Sequence, residues 1–202
     1  MSRGGLDTGR SCGHAVAVVL AAGSANRFGG TKQLAEVGGR PLVAHAVDTA
    51  ARAGVGETVV VVGHDHPAVA RAAANAGPVT IAVNPDHASG QASSLRVGIE
   101  HASRGGAEVA VILLADQPGI RAAAVRAVVA AVTDGAEAAR AAYDDGPGHP
   151  VAFARPVWPR LLETTGDEGA RQLLHQLDVV EVRIRGPRPR DVDTPEDLAE
   201  LR

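Results

Sequence analysis

The sequence predicts an α/β fold, with a mostly parallel central sheet and helices on both faces. Three observations predict it. Valine-rich apolar runs recur at residues 16–20, 58–62, 79–83 and 109–114, each of a length suited to a buried strand. Between them lie segments whose apolar residues fall at helical spacing. No hairpin signal separates these strands, so the connections read as right-handed βαβ crossovers. Sheets of this kind bind ligands at the carboxyl ends of their strands, which makes the loops there the first place to look for a site.

The elements follow in order. Val16–Leu20 is the first strand, and a glycine-containing loop follows it. Gln33–Val37 is short and ambiguous, and Gly38-Gly39 breaks it. Pro41 suits the first position of a helix carrying Leu42, Val43, Ala46, Val47 and Ala50, which Gly54 stops. Thr58–Val62 is the second strand. A helix from Pro67 to about Ala76 closes at Gly77, and Val79–Val83 is the third strand. The next helix runs from about Ser93 to Ser103 with Leu95, Ile99 and Ala102 on one face. Val109–Leu114 is the fourth strand, and Ile120–Val132 is another helix.

The second half changes character. Ala138–Tyr143 and Pro150–Phe153 read as extended segments joined by a turn at Asp144–Gly148. Pro156–Glu163 and Glu168–Leu177 read as short helices. Val179–Ile184 alternates apolar and charged residues, as a half-exposed strand does. Thr194, Pro195 and Asp197 form a helix start of the capping-box type.

At 202 residues the chain fits one domain, here expected over residues 15–202. Residues 1–14 hold Gly, Ser and Arg without an apolar core and read as a flexible tail, not a signal peptide. The net charge of −3 gives no broad nucleic-acid or membrane footprint. With two Phe, one Tyr and one Trp, the chain lacks stacking platforms for single-stranded nucleic acid. No apolar run is long enough to span a bilayer. Cys12 is the sole cysteine and has no intrachain partner, which fits a reducing, cytoplasmic setting.

The loop Leu20-Ala-Ala-Gly-Ser-Ala-Asn-Arg-Phe-Gly-Gly-Thr-Lys32 carries the first chemical signal. Its glycines let backbone N–H groups approach a ligand, and Arg27 and Lys32 add positive charge, as a polyphosphate requires. It matches neither the G-x-G-x-x-G dinucleotide fingerprint nor the P-loop spacing, and the one G-x-S-x-G string, Gly9–Gly13, precedes the first strand and does not follow one, so it does not read as a nucleophile elbow. Asp116 directly follows the fourth strand, where a carboxylate is placed to hold a divalent ion whose shell substrate phosphates complete. Asp191 and Asp193 are alternate residues of an extended segment and face one side, offering a second carboxylate. Ser93 and Ser94 sit at a helix start, where capping is the ordinary role. His149 lies between Gly148 and Pro150. His64 and His66 read as solvated loop residues.

Taken together, these motifs resemble the MobA-like nucleotidyltransferases, and most closely the molybdenum cofactor cytidylyltransferase branch. The resemblance runs in order through Leu20–Lys32, Gly90-x3-Ser94-Leu95-x2-Gly98, Leu114-Ala-Asp-Gln-Pro118, Gly148-His-Pro150 with Phe153, Gly166-Asp-x-Gly-Ala-Arg171 and Asp191-x-Asp-Thr-Pro-Glu-Asp197. It implies a Rossmann-like three-layer sandwich and Mg²⁺-dependent transfer of CMP from CTP to the phosphate of molybdenum-bound molybdopterin. By motif, Leu20, Ala21, Ala22, Gly23, Arg27, Lys32, Ser94 and Asp116 would bind nucleotide. Arg27, Lys32 and Asp116 would be catalytic, Asp116 and Asp193 would hold Mg²⁺, and His149 and Arg171 would contact the acceptor. Ala22 resembles the cytidylyl form of the loop, against a glycine in the guanylyl branch. A molybdenum hydroxylase or its maturation factor is the implied partner. The alternatives are a guanylyltransferase on the same acceptor, a cytidylyltransferase on another phosphorylated small molecule, and a non-catalytic cofactor carrier.

Overall fold

A computed structural model describes residues 12, 14–23, 28–166 and 170–201. Its central sheet has seven strands in the order β5-β4-β1-β6-β8-β7-β9. These are β1 (Ala15–Ala21), β4 (Glu57–Val62), β5 (Thr80–Val83), β6 (Val109–Leu114), β7 (Ala138–Tyr143), β8 (Gly146–Ala154) and β9 (Val179–Arg183). β1 pairs in parallel with both β4 and β6, β4 with β5, and β7 with β9. Among the described strands β8 alone is reversed, antiparallel to β6 and β7. The mostly parallel α/β class expected from sequence is therefore the observed one.

The reversal has a local cause. β7 and β8 join through Asp144-Asp145 alone, a tight hairpin, so β8 begins at Gly146, inside the segment expected as a turn. Two further strands, β2 (Glu36–Val37) and β3 (Arg40–Pro41), form a small hairpin. Pro41 pairs there with Glu36 in an extended conformation, so it caps the helix α1 (Leu42–Ala53) and does not begin it. α2 (His66–Ala76), α3 (Gln91–Ser103) and α4 (Ala122–Thr133) follow in the crossovers. The second half adds only short helices, α5 (Trp158–Leu162), α6 (Arg171–Leu174) and α7 (Pro195–Ala199). α6 is shorter than the expected Glu168–Leu177, and Asp167 to Gly169 lie outside the described residues.

β1 shows why the apolar runs are continuous. Ala17 and Val19 pack with Val43, Val47 and Val128 on one face, while Val16 and Val18 pack with Leu95 and Ile99 on the other. A strand covered on both sides has no polar face to alternate with. α3 lies so close to the sheet that a Cβ on Gly98 would stand 2.3 Å from Val18 Cγ1 and 3.2 Å from Val61 Cγ2. Gly98 thus sets the approach of the helix that follows β5.

The chain's last segment returns to the carboxyl end of β6. Val192 is fully buried against Leu42 and Leu198, and its N–H donates to the Asp116 carbonyl at 2.9 Å. α7 is started by the expected capping box: Thr194 Oγ1 accepts from Asp197 N–H, and the Asp197 carboxylate accepts from Thr194 N–H. Among the described residues no helix is long and apolar enough to cross a membrane.

Candidate active site

Three side chains meet where β1 and β6 end. Lys32 Nζ lies 2.7 Å from Asp116 Oδ2 and 2.8 Å from Asp193 Oδ1. Each arrives from a different element. Asp116 comes from the turn after β6. Asp193 comes from the returning segment, where burial of Val192 turns both its neighbours, Asp191 and Asp193, toward the cleft. Lys32 opens a one-turn 3-10 helix (Lys32–Leu34) after the glycine loop.

The two described ends of that loop are tied down. Gln33 is 3% exposed and donates through Nε2 to the Gly23 carbonyl at 2.7 Å. Thr31 Oγ1 donates to Asp65 Oδ2 at 2.9 Å, and Asp65 holds this position from a left-handed backbone conformation of φ 51°. Asp is among the few residues that tolerate such a φ. Ala21 and Ala22 are buried, and Ala22 accepts a backbone bond from His64. Arg27, expected to bind nucleotide, lies outside the described residues.

The electrostatics follow from burial. Burial is the largest influence on Lys32 and opposes its charge, but Asp116 and Asp193 outweigh it and hold the ammonium above its ordinary pKa. Burial also pushes the Asp116 carboxyl up, with Lys32 opposing and Asp191 assisting. The direction at Lys32 governs the pair near neutral pH. An ammonium 2.7 Å from a carboxyl oxygen and only 11% exposed is held there by a charged partner.

The two carboxylates converge on one point, which fits a divalent cation of the magnesium type. Such an ion takes one or two carboxylates and leaves the rest of its shell to water and phosphates. Among the described residues no group of three or more His, Cys, Asp or Glu is arranged to hold a metal.

A cleft of about 1090 Å³ opens beside this triad. Leu20, Leu114 and Gln117 line it from the first half of the chain, and His149, Arg171 and Arg188 from the second. Leu20, His149, Arg171 and Asp193 therefore share one cavity. His149 is half-buried, with its carbonyl accepting from Tyr143 OH at 2.7 Å. Burial lowers its pKa to about 4 against the opposing pull of Asp191, so the imidazole is neutral at pH 7. Arg171 makes no hydrogen bond or ion pair to a described residue. By contrast Arg188 is engaged by Asp145 and Arg190 by Glu200.

Ser93 and Ser94 do not cap α3. The helix begins two residues earlier, after Gly90, and has no side-chain cap bond. Instead Asn84, 1% exposed at the end of β5, donates Nδ2 to Ser93 Oγ at 2.8 Å and to Ser94 Oγ at 3.0 Å. His64 is an exposed loop residue, as expected; His66 is exposed too but opens α2, so it is helical and not part of a loop.

Sequence reasoning missed four supporting residues. Gln117 donates through Nε2 to Asp191 Oδ1 at 2.7 Å, stitching the β6 turn to the returning segment. Its place beside Asp116 was the available signal. Gln33, Asp65 and Asn84 carry no local signal, because their partners lie 10, 34 and 9 to 10 residues away along the chain.

The profile of the MobA-like NTP transferase domain matches residues 17–182. Nicotine blue oxidoreductase of Paenarthrobacter nicotinovorans is 34% identical over 91% of this chain and 94% of its own length. Purine catabolism protein PucB of Bacillus subtilis is 30% identical over 93% of this chain and 95% of its own. Rv0371c of Mycobacterium tuberculosis shares the fold at a TM-score of 0.79, with 33% identity over 93% of this chain and 97% of that one. A complex of Rv0371c with manganese aligns at a TM-score of 0.76, 31% identity, and 93% and 97% coverage. A glycine loop on a parallel strand, a lysine and two carboxylates at the sheet's carboxyl end, and a profile match over most of the length have one common source: this chain belongs to the MobA-like NTP transferase family, and is a nucleotidyltransferase.

Proposed function

We propose that this nucleotidyltransferase, a single domain over residues 15–202, transfers CMP from CTP to the terminal phosphate of a molybdenum-bound molybdopterin. The products are the cytosine dinucleotide cofactor and pyrophosphate. The observation that carries the proposal is the Lys32–Asp116–Asp193 cluster, whose Asp193 lines a cleft that His149 and Arg171 also line. Ala22 favours CTP over GTP by its resemblance to the cytidylyl form of the loop.

In the reaction an acceptor phosphate oxygen attacks the α-phosphorus of CTP. A new P–O bond forms, the bond to the β-phosphate bridging oxygen breaks, and pyrophosphate leaves with that electron pair. Both partners are anions, so the barrier contains charge repulsion that fixed positive groups reduce. Lys32 supplies such charge at the loop and Arg27 adds to it. Loop N–H groups around Gly23 cradle the phosphates, and Asn84 keeps Ser94 fixed near the base or ribose. Asp116 and Asp193 would hold Mg²⁺, which when bound neutralises triphosphate charge. The manganese complex of Rv0371c supports a divalent ion in this family without deciding between the two metals. The nucleophile is already ionised, so the neutral His149 serves to position the acceptor and not as a base. Arg171 meets acceptor anionic groups. The setting is the cytoplasm, and the client is a molybdenum hydroxylase or its maturation factor.

The name of the P. nicotinovorans relative favours a second reading, an oxidoreductase. This chain has no G-x-G-x-x-G motif for a dinucleotide cofactor. One experiment separates the readings. The purified chain is incubated with Mg²⁺, molybdenum-molybdopterin and each of CTP, GTP, ATP and UTP, and pyrophosphate is measured. In parallel NADH and NADPH oxidation is followed with an electron-accepting dye. Pyrophosphate with CTP is expected. Release only with GTP overturns the cytidylyl choice, and release with none of the nucleotides overturns the transferase.

A further inference from the structure

Lys32 occupies the position that the two carboxylates would offer to a metal. Its Nζ is within 2.8 Å of an oxygen from each of Asp116 and Asp193. A magnesium-type ion binds carboxylate oxygens at about 2.0–2.1 Å, so one ion bridging these oxygens needs the volume the ammonium fills. Two cations do not share that volume. Nor does the buried ammonium leave cheaply, because its side chain is only 11% exposed and a charge withdrawn from its partners must find others. A nucleoside triphosphate brings those partners, as phosphate oxygens at the same loop.

We propose that Lys32 is an exchangeable counter-ion. It neutralises Asp116 and Asp193 until a nucleotide arrives, then passes to the phosphates and vacates the carboxylates. Divalent-ion binding is thereby strengthened by nucleotide, and free metal must compete with the ammonium for the empty site. The surroundings favour such an exchange. The turn bearing Lys32 is anchored through Gln33 and Thr31, so the side chain can swing while the backbone stays fixed. Asp193 is held from behind, its N–H donating to Asp197 Oδ2 at 3.0 Å, so its backbone stays in place when the lysine leaves. The proposal rests on reading Asp116 and Asp193 as the metal carboxylates.

The test uses Mn²⁺ as probe, with free Mn²⁺ measured by electron paramagnetic resonance in titrations of the full chain, with and without CTP and with no acceptor present. Wild type is expected to bind Mn²⁺ alone at least about tenfold more weakly than Mn²⁺ in the presence of CTP, after correction for Mn–CTP formation in solution. Lys32→Met is expected to bind Mn²⁺ alone at least about tenfold more tightly than wild type while losing CTP affinity. Adding Asp116→Asn to Lys32→Met removes the gain. Two results overturn the proposal: Mn²⁺ binding to wild type that CTP does not strengthen, or Lys32→Met that binds Mn²⁺ alone no better than wild type. The first needs no variant, so a failure of Lys32→Met to fold leaves the proposal exposed. Mn²⁺ binding with CTP that Asp116→Asn leaves unchanged overturns the underlying metal reading instead, which distinguishes the two failures.

Discussion

The sheet has two unlike halves, and they meet at β6. From β5 to β6 the strands run parallel and are sealed by α1 to α4, and Val16 to Val19 and Val59 to Val62 are completely buried. From β8 to β9 the strands mix direction, the helices shrink to five residues or fewer, and Val180 stands 41% exposed. The first half is a stiff frame that delivers a loop and a carboxylate to fixed points. The second half contributes charged side chains to a cleft and one carboxylate, Asp193, carried on an irregular segment. Rigidity on one side and an open, polar wall on the other suit the proposed transfer from a triphosphate to a second, phosphorylated partner.

The two halves differ most in the carboxylate each contributes. Asp116 belongs to the frame and its side chain is 23% exposed, while Asp193 belongs to the returning segment and is 37% exposed. Asp116→Asn is expected to lower CTP-dependent pyrophosphate release at least about a thousandfold, since metal-based charge stabilisation is worth several kcal/mol. Asp193→Asn, with Asp191 next to it, is expected to cost about tenfold less. Steady-state rates over a Mg²⁺ series measure both. Equal losses would mean that the two halves contribute alike to the metal.

Packing tests the comparison next. Gly98→Ala places a methyl 2.3 Å from the buried Val18 Cγ1 inside the frame, and is expected to destabilise the protein by about 2 kcal/mol. Gly148→Ala, in the second half, meets the Arg188 side chain at 3.4 Å and is expected to cost well under about 1 kcal/mol, because an exposed arginine can shift. Urea unfolding midpoints decide it, and a Gly148 cost matching that of Gly98 would show the cleft wall to be as tightly packed as the frame.

The same division explains what the sequence made legible. β1, β4, β5 and β6 declare themselves because strands buried on both faces must be continuously apolar, and Lys32 and Asp116 follow those strands at short, countable distances. Thr194 and Asp197 were legible because a capping box is local. Pro41 misled because its proline chemistry suits a helix start equally well as an extended cap, and pairing with Glu36 decided between them. Ser93 misled for the same kind of reason: the hydroxyl that caps by local rule is taken by Asn84, from the next strand over. That Lys32 would lie between the two carboxylates was beyond local reading, since it joins positions 32, 116 and 193 through the fold alone.

His149 is the point where the open wall turns inward. Its folded pKa of about 4 lies below the ordinary value of 6.5, chiefly through burial. The unfolded chain therefore binds more protons between those two pH values, and folding stability from this residue is fully present above about pH 6.5 and is lost as pH falls toward 4. The half-buried ring keeps some contact with solvent, which reduces the expected loss to about 1 kcal/mol. His149→Gln removes the titrating group, so the stability difference between wild type and variant should drift against wild type by that amount as pH drops through this window, read from urea midpoints at half-unit steps. A difference that stays flat with pH would mean that His149 is as accessible to protons in the folded chain as in the unfolded one. The cleft would then be solvent-filled up to the edge of β8, and the imidazole would be free to carry charge toward the proposed anionic acceptor.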